Sequence, residues 1–71
     1  MKDEKPWKIT WEEPGRADVE DRDSGEWVGW VRGCYGSWSA LTREGCWSGD
    51  RPTRAEAAAL VYQAWIEAPY E

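Results

Sequence analysis

The chain has 71 residues, which is the length of one small domain. Its 14 acidic and nine basic residues give a formal net charge of −5, which argues against a general nucleic-acid binder, because such proteins need a basic stripe. The sequence contains no histidine, so it excludes His-based catalytic triads, imidazole bases and histidine metal ligands.

Tryptophan stands out in the composition. Seven Trp and three Tyr are present, but no Phe. Each aromatic side chain buries on the order of 150–250 Å², so a few of them would provide most of the core of a chain this short. The tryptophans are Trp7, Trp11, Trp27, Trp30, Trp38, Trp47 and Trp65.

The N-terminal part predicts a short tail followed by a strand. Residues 1–5 are expected to be a disordered tail, with no apolar stretch typical of a secretory signal. Residues 7–11 alternate between apolar and polar types, which places Trp7, Ile9 and Trp11 on one face of a strand. No segment of the chain is long and apolar enough to cross a membrane, so we expect a cytoplasmic protein with no membrane partner.

Residues 12–26 hold seven acidic residues against two arginines. We predict an acidic loop over 12–25, with a short extended piece around Val19. One interpretation is a solvated linker. The other is a carboxylate array that imitates a phosphate backbone and occupies a nucleic-acid-binding groove on another protein. The carboxylates of this acidic flank are Asp18, Glu20, Asp21, Asp23 and Glu26.

Three further strands are predicted, over 26–32, 37–42 and 46–48, with a turn or bulge at 33–36. An alternative register continues the first of them to Tyr35.

The first of these strands contains two tryptophans. Trp27 and Trp30 are three residues apart, so a regular strand directs them to opposite faces, whereas a bulge near Gly29 would place both inside. At least one Trp is therefore expected on the outer face of the sheet. That Trp is either covered by a loop or the N-terminal tail, or belongs to a binding surface.

Residues 53–68 predict the C-terminal helix. Thr53 and Glu56 fit a capping box, and Pro69 ends the helix. Side chains spaced three and four apart form a stripe that we expect to pack on the sheet. This stripe consists of Ala57, Leu60, Val61, Ala64, Trp65 and Ala68.

The opposite side of the helix is also apolar, with Ala55, Ala59, Tyr62 and Ile66 spaced four, three and four apart. Two interpretations remain open. These are either scattered exposed apolar residues, which are common, or a second contact surface for another protein or a copy of this chain, with Tyr62 as its anchor.

No motif in the sequence indicates catalysis or a cofactor. Cys34 and Cys46 are expected to be reduced thiols, with a disulfide as the alternative, and their spacing is neither a CxxC redox motif nor a zinc site. Residues 21–26 lack the ligand pattern of a calcium loop. No glycine-rich phosphate loop is present. We therefore expect no enzyme activity, no metal and no cofactor.

The set of Trp-rich hairpins followed by Thr-Arg-Ala-Glu-Ala-Ala-Ala at the start of a terminal helix resembles small orphan proteins of actinobacterial phages. The resemblance covers residues 26–68 and contains no specific motif. It implies an accessory protein that acts by binding a host or phage protein, and it implies no site residues.

The sequence thus predicts a single α+β domain over 1–71, with a three- or four-stranded antiparallel sheet packed by one C-terminal helix. The expected core is Trp7, Ile9, Trp11, Val28, Leu41, Ala57, Leu60, Val61, Ala64 and Trp65, joined by Trp27 or Trp30.

The expected function is that of a non-enzymatic protein-binding module, which the acidic flank steers toward a basic partner. Its expected anchors are Tyr62, Ile66, Ala59, Ala55, Trp27 and Trp30. The alternatives are a nucleic-acid-related role, by mimicry or by weak stacking of single strands, and a structural homodimer. Nucleic acid is not expected to be a direct ligand.

Overall fold

Five antiparallel strands and one helix make up the fold, in a computed structural model that describes residues 5–34 and 36–67 and omits the Trp11 side chain. The strands follow one another in the sheet in chain order. The elements are β1 (Trp7–Glu13), β2 (Arg16–Asp21), β3 (Trp27–Cys34), β4 (Ser37–Thr42), β5 (Trp47–Arg51) and α1 (Arg54–Glu67). The α+β arrangement with a C-terminal helix on an antiparallel sheet is confirmed, whereas the five strands exceed the predicted three or four.

The additional strand, β2, lies in the segment predicted to be an acidic loop, so that prediction is wrong for Arg16–Asp21. Within β2, Ala17, Val19 and Asp21 are buried and the residues between them are half-buried. This is the two-residue period of a strand with one covered face. Only two of its six residues are apolar, so the charged side chains obscure the alternation in the sequence. The predicted loop is reduced to a turn at 14–15 and the connection at 22–26.

The helix begins as its capping sequence predicts. The Glu56 backbone N–H donates to Thr53 Oγ1 at 3.1 Å, and the Ala57 N–H donates to the Thr53 carbonyl oxygen at 3.0 Å. Ala57, Ala58 and Val61 of α1 are fully buried against the sheet, and the side chains of Leu60 and Trp65 pack against this core. The predicted stripe is confirmed for Ala57, Leu60, Val61 and Trp65, while Ala64 is half-buried and Ala68 lies outside the described part. The buried Ala58 was not predicted.

Small residues let the helix approach the sheet closely. A Cβ at Gly29 would stand 2.5 Å from both the Leu41 carbonyl oxygen and Val61 Cγ1. A Cβ at Gly49 would stand 2.8 Å from Leu60 Cδ2. These contacts show that α1 packs on the backbone of β3 and β5.

The core is built from valine and alanine rather than from tryptophan. The largest fully buried side chains are Val19, Val28, Val31 and Val61. Trp7 is buried as predicted, whereas Leu41, which was expected in the core, is half-buried on the opposite side of β4 from the buried Ala40. The predicted core position of the Trp11 side chain lies outside the described part.

Cys34 and Cys46 are both exposed free thiols. Cys34 ends β3 and pairs with Ser37 at the start of β4, whereas the Cys46 carbonyl accepts from the Thr42 N–H at the end of β4. The length of β4 therefore separates them, at about 3.3 Å per residue. A disulfide needs Cα atoms within about 7 Å, so the two cysteines do not bridge within one chain.

Within the described ranges, no helix has the length and apolar character needed to cross a membrane.

Candidate functional site

The two faces of the sheet differ in how they are covered. The face under α1, called the inner face here, carries the buried residues of every strand that contributes to the core. The other face is called the outer face. Among residues 5–34 and 36–67, no second layer of helix or strand packs on it. An uncovered sheet face is a surface on which a partner can pack.

A bulge in β3 brings Trp27 and Trp30 to the same face. Trp27 pairs with Glu20 of β2 and Trp30 pairs with Asp18, while Val28 and Gly29 both lie opposite Val19. The extra residue shifts the alternation by one position. Both tryptophans therefore lie on the outer face with Asp18 and Glu20, while Val28 is buried beneath the helix. The bulge near Gly29, one of the two predicted alternatives, is present, but it places both tryptophans outside rather than inside. The other alternative, opposite faces, is wrong.

The outer-face residues continue across the sheet as an aromatic strip, defined as Trp27, Trp30, Leu41 and Trp47. In register, Trp30 lies opposite Leu41, which lies opposite Trp47. Trp47 is 66% exposed and Trp27 is 37% exposed. Sequence analysis had identified Trp27 and Trp30 as partner-binding residues, but not Leu41 or Trp47. The sequence carried one signal for Trp47. It begins a short strand whose other residues are polar or glycine, so the strand offers no apolar neighbours that would bury the indole.

The exposed indole of Trp47 is held in a fixed orientation. Its Nε1–H donates to Asp50 Oδ1 at 2.9 Å, and the Ser39 hydroxyl donates to the same oxygen at 2.7 Å. The hydrogen bond from Trp47 and then that from Ser39 hold the pKa of Asp50 below its ordinary value, against a smaller effect of burial, and the charge of Arg51 assists least. The outer face thus presents an oriented indole beside an ionised carboxylate.

A second tryptophan of the strip is already stacked with a cation from the same chain. The guanidinium carbon of Arg16 lies 4.5 Å from the Trp30 ring centroid. Arg16 Nη2 also lies 3.2 Å from Asp18 Oδ1, so the same guanidinium contacts a ring and a carboxylate. The Arg16 guanidinium thus covers one side of the Trp30 ring. Among the described residues, no cation lies over the Trp47 ring in the same way.

Charges of both signs surround the strip. Arg43 Nη1 lies 2.7 Å from Glu26 Oε2, which joins the turn before β5 to the loop before β3. In the strand register, Glu20 lies between Lys8 of β1 and Trp27 of β3. The strip therefore has the mixed polar rim that surrounds many protein interfaces.

Tyr62, predicted as an exposed anchor, is half-buried and packs against the core. Its ring centroid lies 5.6 Å from that of Trp65. Burial, then the hydrogen bond to Asp21 and the negative charges of Asp21 and Asp23, raise the pKa of Tyr62 above its ordinary value. Tyr62 therefore turns toward the sheet and is only partly exposed.

The other three residues predicted for the back of α1 are exposed. Ala55, Ala59 and Ile66 all lie on the solvent side of the helix, and Ile66 is 52% exposed. They form a second, more weakly apolar surface.

The predicted acidic flank does not form one surface. Asp21 is buried on the inner face, where its Oδ2 accepts from the Ser24 N–H at 2.9 Å. Hydrogen bonds from the Ser24 backbone and side chain lower the pKa of Asp21, opposed by burial and assisted by Tyr62 and the Asp23 backbone. Asp18 and Glu20 lie on the outer face, and Asp23 and Glu26 are exposed in the connecting loop.

A cleft of about 640 Å³ opens where the helix starts, lined by Ile9, Trp38, Pro52 and neighbouring residues. Arg54 lies over Trp38, 6.0 Å from its ring centroid, and pairs with Glu12 at 3.3 Å. The one arginine in the cleft is thus already paired. Nowhere in the described part do three or more potential metal ligands cluster.

Fold and site together define a class of protein: a two-layer domain with one helix on the inner face of a five-stranded meander and an exposed aromatic strip on the outer face. Comparison with protein-family models, curated proteins and solved structures finds no match for this chain.

Proposed function

We propose that this chain is a non-enzymatic protein-binding module that binds its partner through the outer face of the sheet. The observation that carries this proposal is Trp47, an indole 66% exposed and yet oriented by its hydrogen bond to Asp50. An anchor that is oriented before binding loses little conformational entropy when a partner covers it. Trp is also among the residues most enriched in binding hot spots.

The charges around the strip favour a protein over a nucleic acid as the partner. Arg16 and Arg43 are each paired with a carboxylate of the same surface. This leaves only Lys8 and Arg32 as described outer-face cations without an ion pair. A single strand stacked on the tryptophans would need unpaired cations along its backbone. The resemblance to actinobacterial phage proteins makes a host or phage protein the first candidate for the partner.

Mimicry of a nucleic acid by residues 12–26 is a weaker proposal. It requires a continuous row of exposed carboxylates, and the burial of Asp21 and the pairing of Asp18 with Arg16 interrupt that row.

We also propose the cytoplasm as the place of action. Both thiols are exposed and unpaired, and exposed thiols persist in a reducing compartment.

The test compares two exposed apolar residues on opposite sides of the molecule. Trp47→Ala removes the anchor of the outer face, and Ile66→Ala removes the largest exposed apolar side chain of the helix. Tagged wild-type and variant chains are used for affinity capture from lysate of the native host, followed by quantitative mass spectrometry. We expect at least one protein to be captured by the wild type and by Ile66→Ala, and to fall about tenfold or more with Trp47→Ala, as is usual for a hot-spot tryptophan.

A partner lost with Ile66→Ala and retained by Trp47→Ala would contradict the proposal and assign the interface to the helix. Light scattering of the same proteins across concentrations tests the homodimer alternative. A dimer that dissociates in Trp47→Ala would make the partner a second copy of the chain.

A further inference from the structure

We infer that Trp47 and Asp50 form a docking point for the guanidinium group of an arginine on the partner protein. The inference rests on the proposed function and names the chemistry by which the outer face recognises its partner. It starts from two tryptophans of the strip that stand beside an aspartate, Trp30 and Trp47, of which only Trp30 has a cation over its ring among the described residues.

The first of these, Trp30, shows that an indole beside an aspartate on this surface binds a guanidinium group. Arg16 stacks on Trp30 with its guanidinium carbon 4.5 Å from the ring centroid, and the same guanidinium lies 3.2 Å from Asp18 Oδ1. Ring and carboxylate act together, because the face of an indole attracts a cation and a carboxylate accepts its N–H groups.

The second pair has the same two components. The Trp47 ring is 66% exposed, and its Nε1–H fixes Asp50 at the ring edge at a distance of 2.9 Å. Trp47 and Ser39 both donate to Oδ1 of Asp50, so Oδ2 receives no hydrogen bond from the described residues. A guanidinium stacked on this indole would have that oxygen as its acceptor.

Charge complementarity favours a cationic occupant. The chain has a formal net charge of −5, which attracts a basic partner at long range. Arg51, which adjoins Asp50 in the chain, donates from Nη1 to the Asp50 backbone carbonyl oxygen at 2.7 Å and not to the Asp50 carboxylate. Arginine is favoured over lysine because its planar group stacks on a ring and donates in a fork at the same time.

The experiment is an NMR titration of the full chain at low salt. The probes are three capped tripeptides, Gly-Arg-Gly, Gly-Lys-Gly and Gly-citrulline-Gly, the last of which keeps the shape of arginine without its charge. The Nε1–H resonance of Trp47 is assigned with Trp47→Phe. We expect the arginine peptide to shift this resonance to saturation, and the citrulline peptide to bind about tenfold more weakly.

Two variants separate the site from the rest of the strip. Asp50→Asn keeps an oxygen for the Trp47 and Ser39 hydrogen bonds, removes the charge and replaces the acceptor Oδ2 by an N–H donor, so we expect arginine binding to weaken about tenfold. Trp27→Phe changes another exposed indole of the strip and should leave the titration unchanged. Equal binding of arginine and citrulline peptides, or an unchanged affinity in Asp50→Asn, would overturn the inference.

The inference and the proposed function can fail separately. If Trp47→Ala releases the captured partner but the arginine and citrulline peptides titrate alike, the outer face is the interface and the arginine inference is wrong. If the arginine peptide binds as expected but Trp47→Ala captures every protein that the wild type captures, the docking chemistry stands and the proposed function fails. If a homodimer buries Trp47, the outer face is the interface between two copies of the chain, and the inference is overturned.

Discussion

Two aspartates on opposite faces of the sheet have different consequences for the molecule. Asp50 orients an exposed indole, whereas Asp21 accepts from the Ser24 N–H and interacts with the Tyr62 hydroxyl beneath the surface. Asp21 also accepts from the Gly25 N–H through its backbone carbonyl, at 2.8 Å. It therefore joins the connection before β3 to the helix, which is a structural role and not the solvated one expected of an acidic loop.

The lowered pKa of Asp21 predicts a loss of stability in acid. The folded state holds this carboxyl ionised below its ordinary pKa of 3.8, so the unfolded state binds more protons when the pH falls. The stabilisation is present above about pH 4 and disappears as the pH falls through the folded pKa. Urea unfolding at pH 7 and at pH 3 measures it. We expect Asp21→Asn to reduce the difference in unfolding free energy between these two pH values.

The control for this prediction is Asp23→Asn, which changes an exposed carboxylate of the same connection. It should retain the acid sensitivity of the wild type. The same pH dependence in Asp21→Asn and in the wild type would show that Asp21 does not contribute to it.

At the scale of elements, the contact between α1 and the sheet depends on two glycines. A Cβ at Gly29 would be 2.5 Å from a backbone oxygen and from Val61, while a Cβ at Gly49 would be 2.8 Å from the end of the Leu60 side chain. Backbone cannot move away as easily as the tip of a leucine. The two positions therefore differ in how much an added methyl group costs.

We predict that Gly29→Ala lowers the free energy of unfolding by about 3 kcal/mol, at the upper end of the usual range for overpacking. Gly49→Ala should cost less, about 2 kcal/mol, because Leu60 can change rotamer, although the φ of +138° at Gly49 strains an L residue as the φ of +154° at Gly29 does. Chemical denaturation of the two variants beside the wild type is the measurement. Equal losses would mean that the sheet adjusts at Gly29 as readily as at Gly49.

The elements differ in how far the sequence predicts them. The helix and β1, β3 and β4 have strong periodicity or capping signals, and they were predicted with small errors at their ends. β2 was missed because strand pairing, and not its own composition, stabilises it: Ala17 and Val19 lie between β1 and β3. Gly29 indicated a possible bulge in β3, and the structure contains it, but the spacing of Trp27 and Trp30 did not show that the bulge directs both to the outer face.

The candidate site was predicted only in part for the same reason. Trp27 and Trp30 were identified, but the strip also needs Leu41 and Trp47, and their alignment depends on the registers of β3, β4 and β5. Tyr62 was assigned to the wrong side of the helix because a helical wheel assumes that only a narrow stripe of the helix contacts the sheet. A wide sheet contacts a broader arc of the helix, and the long Tyr62 side chain reaches Asp21 from the edge of that arc.

At the scale of the whole molecule, the domain is a thin plate with extents of 34 × 32 × 17 Å. It has no covalent cross-link between its two cysteines, which are exposed at opposite ends of β4. The stability of the plate therefore comes from a small core of valine and alanine and from strand pairing.

This placement predicts the behaviour of the thiols. Both Cys34 and Cys46 should react with a thiol reagent in the folded protein without denaturant, because both are exposed. Mass spectrometry should show two adducts per chain, and the melting temperature should be the same with and without reductant. Cys34→Ser and Cys46→Ser should each leave one adduct. A single adduct on the wild-type chain would contradict the exposure of one thiol.

The two outermost strands carry a feature whose consequence concerns many copies of the chain. β1 has an extra residue at Thr10, between the pairs made by Ile9 and Trp11, and β5 has one at Ser48. Each irregularity lies on a strand that pairs on one side only within the described residues, and such bulges, with charged side chains nearby, hinder a sheet from adding strands of a neighbouring molecule. A tryptophan-rich sheet with two regular borders would be prone to grow into fibrils. The bulges in β1 and β5 oppose such polymerisation. The aromatic strip can therefore stay exposed without edge-to-edge aggregation of the sheets.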